Sequence, residues 1–145
     1  MRVLLQRVSG ASVGLEGECV AEIERGLLAF VGVFPDDGET QADWLAEKTL
    51  GLRIFPDADK PMNRSVQDVG GEILVVSQFT LAGDTSKGKR PGFSTAAPPD
   101  QAERLYKYLI ARLKAQGGRV QEGRFGAEMQ VALVNDGPVT FLLEK

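Results

Sequence analysis

Two short apolar runs, at residues 26–35 and 73–77, constrain the fold of this chain most strongly. Both are nearly free of charge, and both are far shorter than the roughly 20 residues that a membrane-spanning helix requires. Their length, and the glycines and prolines that flank the first of them, are typical of strands buried inside a sheet. We therefore predict buried strands at residues 27–34 and 72–78.

Six further strands, one short additional strand and two helices complete the predicted order of elements. Residues 39–50 and 100–116 show apolar positions at helical spacing, and the second segment carries its charged residues largely outside the apolar stripe. This order predicts an α/β domain built on a curled, mixed or antiparallel, barrel-like sheet flanked by two main helices. The length suits one domain, residues 1–145. The other strands are predicted at residues 1–8, 11–15, 19–23, 119–122, 129–134 and 139–143, with a short additional one at 53–55.

The chain contains no histidine and a single cysteine, Cys19. No Ser-His-Asp or Cys-His catalytic arrangement is therefore available, and no imidazole can bind zinc or transfer protons near neutral pH. We expect no metal and no cofactor. Cys19 cannot form a disulfide within the chain, and residues 1–7 lack the apolar stretch of a signal peptide, so a reducing, cytoplasmic location is expected.

The net charge of −3 gives no indication of broad electrostatic binding of nucleic acid. An RNA partner would have to be held locally, and the best basic cluster is Lys87, Lys89 and Arg90, in a long Gly- and Pro-rich loop at residues 85–99. Composition alone favours a solvated surface loop over a binding site.

Two polar segments carry the candidate chemistry. In Ser77-Gln78-Phe79-Thr80-Leu81 a buried strand becomes polar, which is typical either of a strand end with locally bonded hydroxyls or of a pocket wall. Asn135-Asp136-Gly137-Pro138-Val139-Thr140 has the composition of a hairpin turn. A cis Gly-Pro bond at this place would instead present two carbonyl oxygens together, as a receptor for an ammonium group.

These two segments resemble the paired signatures of D-aminoacyl-tRNA deacylases, Ser-Gln-Phe-Thr and Asn-x-Gly-Pro-x-Thr. The resemblance spans essentially the whole chain, since other segments match in order. Two loop positions depart from the pattern, Lys60-Pro61 where a Gly-Lys pair is expected and Gly92 where serine is expected. The further matching segments include Gln6-Arg7-Val8, Ala11-Ser12-Val13, Leu52-Arg53-Ile54-Phe55, Met62-Asn63, Gln67-Asp68-Val69-Gly70-Gly71, Gly123-Arg124-Phe125 and Met129-Gln130-Val131.

The resemblance implies an editing hydrolase that removes D-amino acids, and mischarged glycine, from tRNA. It implies a homodimer with active sites at the subunit interface, where the acceptor end of aminoacyl-tRNA binds, and it implies no DNA or membrane partner. The catalytic group implied is Ser77, Gln78, Phe79 and Thr80, and the substrate-binding group is Gly137, Pro138, Phe125 and Met129.

The expected mechanism has two parts. A cis Gly137–Pro138 turn is expected to enter the partner's pocket and reject L side chains sterically, while the 2′-hydroxyl of the terminal adenosine assists the attacking water. Thr80 and Gln78 would orient the ester. Two alternatives remain at this stage: a dimeric hydrolase of small esters or lactones that needs no RNA, and a non-catalytic module that binds tRNA acceptor ends.

Overall fold

The computed structural model describes all residues from Met1 to Lys145. The chain forms six strands, two α-helices and one short 3-10 helix in an order that confirms the predicted α/β class. The strands are β1 (Arg2–Leu15), β2 (Glu18–Ile23), β3 (Gly26–Gly32), β4 (Glu72–Ser77), β5 (Arg119–Glu122) and β6 (Gln130–Glu144); the helices are α1 (Glu39–Gly51), α2 (Pro99–Ala115) and the 3-10 helix Phe79–Ala82.

The sheet is mixed and nearly closed. Its order is β2-β1-β3-β4-β5, with β6 on the other side of β1. Strand β1 is antiparallel to β2, β3 and β6, whereas β3, β4 and β5 are parallel to one another. Because β2 returns to contact β4 and β5, the sheet curls into the predicted barrel-like shape.

Strands β3 and β4 are buried on both faces, which explains their uninterrupted apolar sequences. One core lies between the sheet and the helices, with Leu45, Leu105 and Leu109 at its centre. A smaller core fills the inside of the curl, around Val8, Leu28 and Leu74. Neither α-helix is long and apolar enough to cross a membrane.

Both predicted helices are confirmed. The apolar stripe of α2 is buried against the core through Leu105, Tyr106, Leu109 and Leu113. The two helices also contact each other through polar groups: the Tyr108 hydroxyl donates to the Asp43 carboxylate (3.1 Å), and Arg112 forms an ion pair with the same carboxylate (2.6 Å).

Four predictions for the strands were wrong. Residues 1–8 and 11–15 form one strand, β1, which bends at register shifts near Val8 and does not end there. Residues 53–55 form no strand, since Phe55 makes only an isolated bridge with Arg64. The side chains of Ile54 and Phe55 are buried in the core. The strand predicted to reach Gln78 ends at Ser77, and the 3-10 helix begins at Phe79.

The fourth wrong prediction concerns residues 129–134 and 139–143, which belong to one strand, β6, and are not two strands joined by a hairpin. Both halves pair with β1, so the chain continues in one direction through the predicted turn. Gln6 is opposite Thr140 and Val8 is opposite Asn135, so two steps along β1 (8 − 6) correspond to five along β6 (140 − 135). The surplus residues form a bulge.

Candidate active site

A cavity of about 450 Å³ opens where the parallel strands β3 and β4 end. Carboxyl ends of parallel strands are common ligand sites, because the elements that follow them diverge and leave a space. Here α2 and the segment before β6 form the opposite wall. The lining side chains include Val31, Val33, Val76, Ser77, Gln78, Phe79, Ala96, Ala97, Pro99, Ala102, Tyr106, Phe125, Gly126, Ala127, Met129 and Val131.

The first predicted motif forms one wall of this cavity. Ser77, Gln78 and Phe79 line it, whereas Thr80 lies beside it and accepts a hydrogen bond at Oγ1 from Gln78 Nε2 (2.5 Å). The Gln78 backbone N–H donates to the carbonyl of Val31 on β3 (2.7 Å), which fixes the turn against the sheet.

Gly32 permits the 3-10 helix to pack this closely on β3. A Cβ at this position would lie 2.8 Å from the Cβ of Leu81 and 3.3 Å from the Gln78 carbonyl oxygen. Any larger residue would push the turn away from the end of β3.

An exposed aromatic pair marks the rim of the cavity. Phe79 is 59% exposed and Phe93 is 39% exposed, and their ring centroids are 4.9 Å apart at a tilted angle. Aromatic rings left in solvent beside a cavity offer a flat apolar surface to a planar ligand.

The other wall carries Phe125 and Met129, which the sequence predicted for this site, together with Tyr106. The rings of Tyr106 and Phe125 are 5.7 Å apart. The Tyr106 hydroxyl donates to the Val75 carbonyl (2.9 Å), and burial, followed by the charge of Glu122, raises the pKa of that hydroxyl. Tyr106 therefore remains neutral at physiological pH.

The lining contains no aspartate, glutamate, lysine or arginine. Its polar side chains are the hydroxyls of Ser77 and Tyr106 and the amide of Gln78. Such a cavity suits an apolar or planar group that is oriented by a few hydrogen bonds, and it holds no side chain that can act as a general base near neutral pH.

Gly137 and Pro138 do not lie in this cavity. They occupy the bulge of β6, where both are exposed, and the peptide bond between them is cis. At Gly137 an added Cβ would lie 2.4 Å from the backbone nitrogen of Val139 and 2.5 Å from its Cγ2. Only glycine fits this position without movement of the bulge.

The bulge is held firmly although it is exposed. Asn135 pairs with both backbone groups of Val139: Oδ1 accepts from the N–H (2.9 Å) and Nδ2 donates to the carbonyl (3.0 Å). Arg7, which is almost fully buried, donates from Nε to the Asp136 carbonyl (2.8 Å) and from Nη1 to the Ile54 carbonyl (2.6 Å). These bonds fix the direction in which the carbonyls of the bulge point.

Sequence reasoning missed several of these residues. Ala102 and Tyr106 belong to the apolar stripe of residues 100–116, and their four-residue spacing does not distinguish a core from a cavity wall. Small side chains at Ala96, Ala97 and Ala102 are the signal that space lies beside the stripe. Arg7 lies in a segment that matches the family pattern, but its partners are far away in the sequence, so no local pattern indicates its role.

The comparisons with known proteins agree over the full chain. The family model described as D-Tyr-tRNA(Tyr) deacylase matches residues 4–144. A D-aminoacyl-tRNA deacylase from Exiguobacterium sp. (strain AT1b) is 59% identical over 145 residues, which are 100% of this chain and 99% of the relative. One from Pseudomonas fluorescens (strain Pf0-1) is 58% identical over 144 residues, 99% of each chain.

Two solved structures share the fold. One, named c-Myc DNA Unwinding Element Binding Protein, is 40% identical, with a TM-score of 0.94 over 100% of this chain and 99% of the other. The second, described as a probable eukaryotic D-amino acid tRNA deacylase, is 18% identical, with a TM-score of 0.83 over 98% of this chain and 97% of the other, and it supports the fold alone. On the strength of the match over residues 4–144, the chain belongs to the D-Tyr-tRNA(Tyr) deacylase family.

Proposed function

We propose that this protein is a D-aminoacyl-tRNA deacylase, which hydrolyses the ester between a D-amino acid and the terminal adenosine of tRNA. The observation that carries the proposal is the state of the two motifs: Ser77, Gln78 and Phe79 line a cavity, whereas Gly137 and Pro138 are rigidly held but exposed. Cytoplasm is the compartment where such a substrate is found.

The active unit is a homodimer in which the bulge of one copy enters the cavity of the other. Strand β6 pairs only with β1, so its far edge has unpaired backbone groups. The same strand exposes Val134 (64%), Phe141 (36%) and Leu142 (49%), an apolar set that a second copy would cover. The bulge lies between these residues in the sequence.

Selection of the D-amino acid follows from exclusion. The substrate ammonium accepts no hydrogen bond and needs carbonyl oxygens, which Gly137 and Pro138 supply. With the ammonium held there, the α-hydrogen faces the backbone wall, an L side chain collides with it, and a D side chain points to open space. Glycine has no side chain to reject, so glycyl-tRNA is also hydrolysed.

Catalysis relies on the substrate, because the cavity contains no group that ionises near neutral pH. The 2′-hydroxyl of the terminal adenosine assists the attacking water. The first hydrogen bond of the 3-10 turn runs from the Leu81 N–H to the Gln78 carbonyl (3.1 Å). The N–H groups of Phe79 and Thr80 come before it in the turn, so they are the candidate oxyanion donors.

The remaining site residues position the adenosine and the ester. Stacking of the adenine on Phe79 contributes about 1–3 kcal/mol. Phe125 and Met129 pack against the ligand from the opposite wall, and Thr80 acts through its hydrogen bond to Gln78 as an orienting residue and not as a nucleophile.

Hydrolysis rates of D-tyrosyl-, L-tyrosyl- and glycyl-tRNA by the purified protein test this function. We expect fast hydrolysis of the D and glycyl esters and survival of the L ester. Comparable loss of the D and L esters, or no cleavage at all, would contradict the proposal.

The catalytic part is tested with D-tyrosyl-tRNA that ends in 2′-deoxyadenosine. We expect this substrate to lose most of its rate, and Thr80→Ala to retain much of the activity on the normal substrate. The opposite pattern would indicate that Thr80 is a nucleophile.

A further inference from the structure

The loop between the 3-10 helix and α2 contains the densest group of unpaired positive charges in this acidic protein. Lys87, Lys89 and Arg90 lie within four residues and are all exposed. None of the three takes part in an ion pair or a side-chain hydrogen bond, whereas Arg104, Lys107, Arg112, Lys114 and Arg119 on α2 and β5 are all paired with carboxylates.

The base of this loop is closed. Asp84 and Gly92 exchange two backbone hydrogen bonds, both of 2.8 Å, and the Asp84 carboxylate accepts from the Ser86 N–H (2.9 Å). The chain reverses at Gly88, whose φ of +70° favours glycine. Residues 85–91 therefore form a closed projection that carries three cations and no carboxylate.

The projection is joined directly to the cavity. Phe93 follows its base and packs on Phe79 at the rim. Beyond Phe93, the Ala97 N–H donates to the Val33 carbonyl (3.0 Å), and Ala96 and Ala97 line the cavity itself. Gly83 permits this approach, since a Cβ there would lie 3.1 Å from the ring of Phe93.

We propose that this projection, residues 85–91, is a phosphate-binding arm that holds the RNA strand leading into the cavity. This inference rests on the proposed function and adds to it the residues that hold the RNA. Lysine and arginine are the side chains that contact phosphate oxygens without reading the base, which suits an enzyme that accepts many tRNAs. The lining of the cavity contains no charged side chain. In this proposal the arm therefore binds the phosphates of the RNA, and the cavity binds the aminoacyl ester.

The test compares the triple variant Lys87→Gln, Lys89→Gln, Arg90→Gln with a control that loses the same charge elsewhere. Lys48→Gln, Arg104→Gln, Lys145→Gln provides this control, since all three residues are exposed and none lines the cavity. Each protein is assayed at several salt concentrations on D-tyrosyl-tRNA and on D-tyrosyl-adenosine, which has the ester but no phosphate.

Three phosphate contacts to a single strand contribute a slope of about −2 to a plot of log kcat/KM against log salt concentration. We expect the arm variant to lose this much of the slope on tRNA through KM, so that the ratio of kcat/KM on tRNA to that on the nucleoside ester falls. The control variant is expected to keep the wild-type ratio and slope.

Two results in the arm variant would contradict the proposed phosphate-binding role and leave the deacylase function intact. One is an unchanged salt slope on tRNA, and the other is an equal loss of kcat/KM on both substrates. Failure of the deacylase proposal is recognised separately, because the wild-type protein would then cleave neither ester. A second assay uses an RNA hairpin that has a single-stranded CCA end and carries no amino acid. Its binding, measured by fluorescence anisotropy, gives a readout that does not depend on hydrolysis. Equal affinity of wild-type protein and arm variant in that assay would also overturn the arm.

Discussion

The cavity and the β6 bulge are built in contrasting ways. The cavity is enclosed by apolar groups from four parts of one chain, with a few neutral polar groups and no charge. The bulge is exposed and lines no part of that cavity. It is held by Arg7, which is almost fully buried and donates to the Asp136 carbonyl, and by Asn135, which pairs with the backbone of Val139. We propose that this exposed and firmly held backbone segment acts on a partner outside its own chain.

This difference leads us to propose separate roles for the cavity and the bulge. The proposed role of the cavity is to bind the ester and the adenosine, so substitutions there should affect all substrates alike. The proposed role of the bulge is to supply the wall, so substitutions there should change the relative rates on D and L substrates. The predictions below separate these two outcomes, and they begin with the largest effect.

Gly137→Ala is expected to have the largest effect on selectivity. The added Cβ would lie 2.4 Å from the Val139 nitrogen, so the bulge must move. A displacement of about 1 Å in a positioning group costs about 100-fold in rate, and we expect a change of that order in the ratio of D to L hydrolysis. Initial rates on D- and L-tyrosyl-tRNA measure it.

The matched control for this prediction is Gly51→Ala, because a Cβ at that helix end meets nothing within 4 Å. An unchanged D-to-L ratio in Gly137→Ala would refute the role of the bulge as a wall.

Asn135→Ala should weaken the same wall more mildly. It removes both side-chain bonds to Val139 and leaves a buried N–H unpaired, which costs roughly 1–3 kcal/mol of unfolding free energy. We expect selectivity to fall less than in Gly137→Ala. Asn135→Asp, which keeps an acceptor for the Val139 N–H, should lie between Asn135→Ala and the wild type in both denaturant unfolding and selectivity. Equal effects of the two substitutions would argue against this hydrogen-bond account.

Tyr106→Phe tests the cavity side of the comparison and should have the smallest effect. The Val75 carbonyl keeps a bond from the Gly123 N–H (2.9 Å), so the loss is about 1 kcal/mol in unfolding free energy. The D-to-L ratio is expected to stay at the wild-type value, and a shift in that ratio would contradict the division between cavity and bulge.

The same variant has a defined pH dependence. Because burial raises the pKa of Tyr106 in the folded protein, the neutral hydroxyl stabilises the fold fully below the ordinary pKa of 10.0, and this contribution is lost as the pH rises above that value. Tyr106→Phe should therefore show a smaller loss of unfolding free energy above pH 10 than the wild type. Parallel alkaline profiles for the two proteins would count against it.

Local sequence signals predicted the helices, the buried strands and the two motifs. They did not predict the features that depend on pairing between residues far apart in the sequence. Asn135-Asp136-Gly137-Pro138 has the composition of a hairpin turn, yet both flanking segments pair with β1 and the turn residues become a bulge. Phe55 looked like part of a strand because it is apolar, but its burial beneath the sheet and helices satisfies the same pattern. The contact of Arg7 with Asp136 joins residues 129 positions apart, and no local pattern contains it.

The central claim, that the wall of each site comes from the other subunit, is tested most directly by mixing two variants. Ala102→Phe places a ring in the cavity and is expected to abolish hydrolysis while leaving its bulge intact. Gly137→Ala keeps a working cavity behind a displaced wall. The D-to-L ratio of Gly137→Ala is then measured while Ala102→Phe is added in increasing excess under conditions of subunit exchange. The account predicts that the ratio rises to the wild-type value, because each working cavity acquires an intact bulge from its partner; a ratio that stays at the Gly137→Ala value would contradict it.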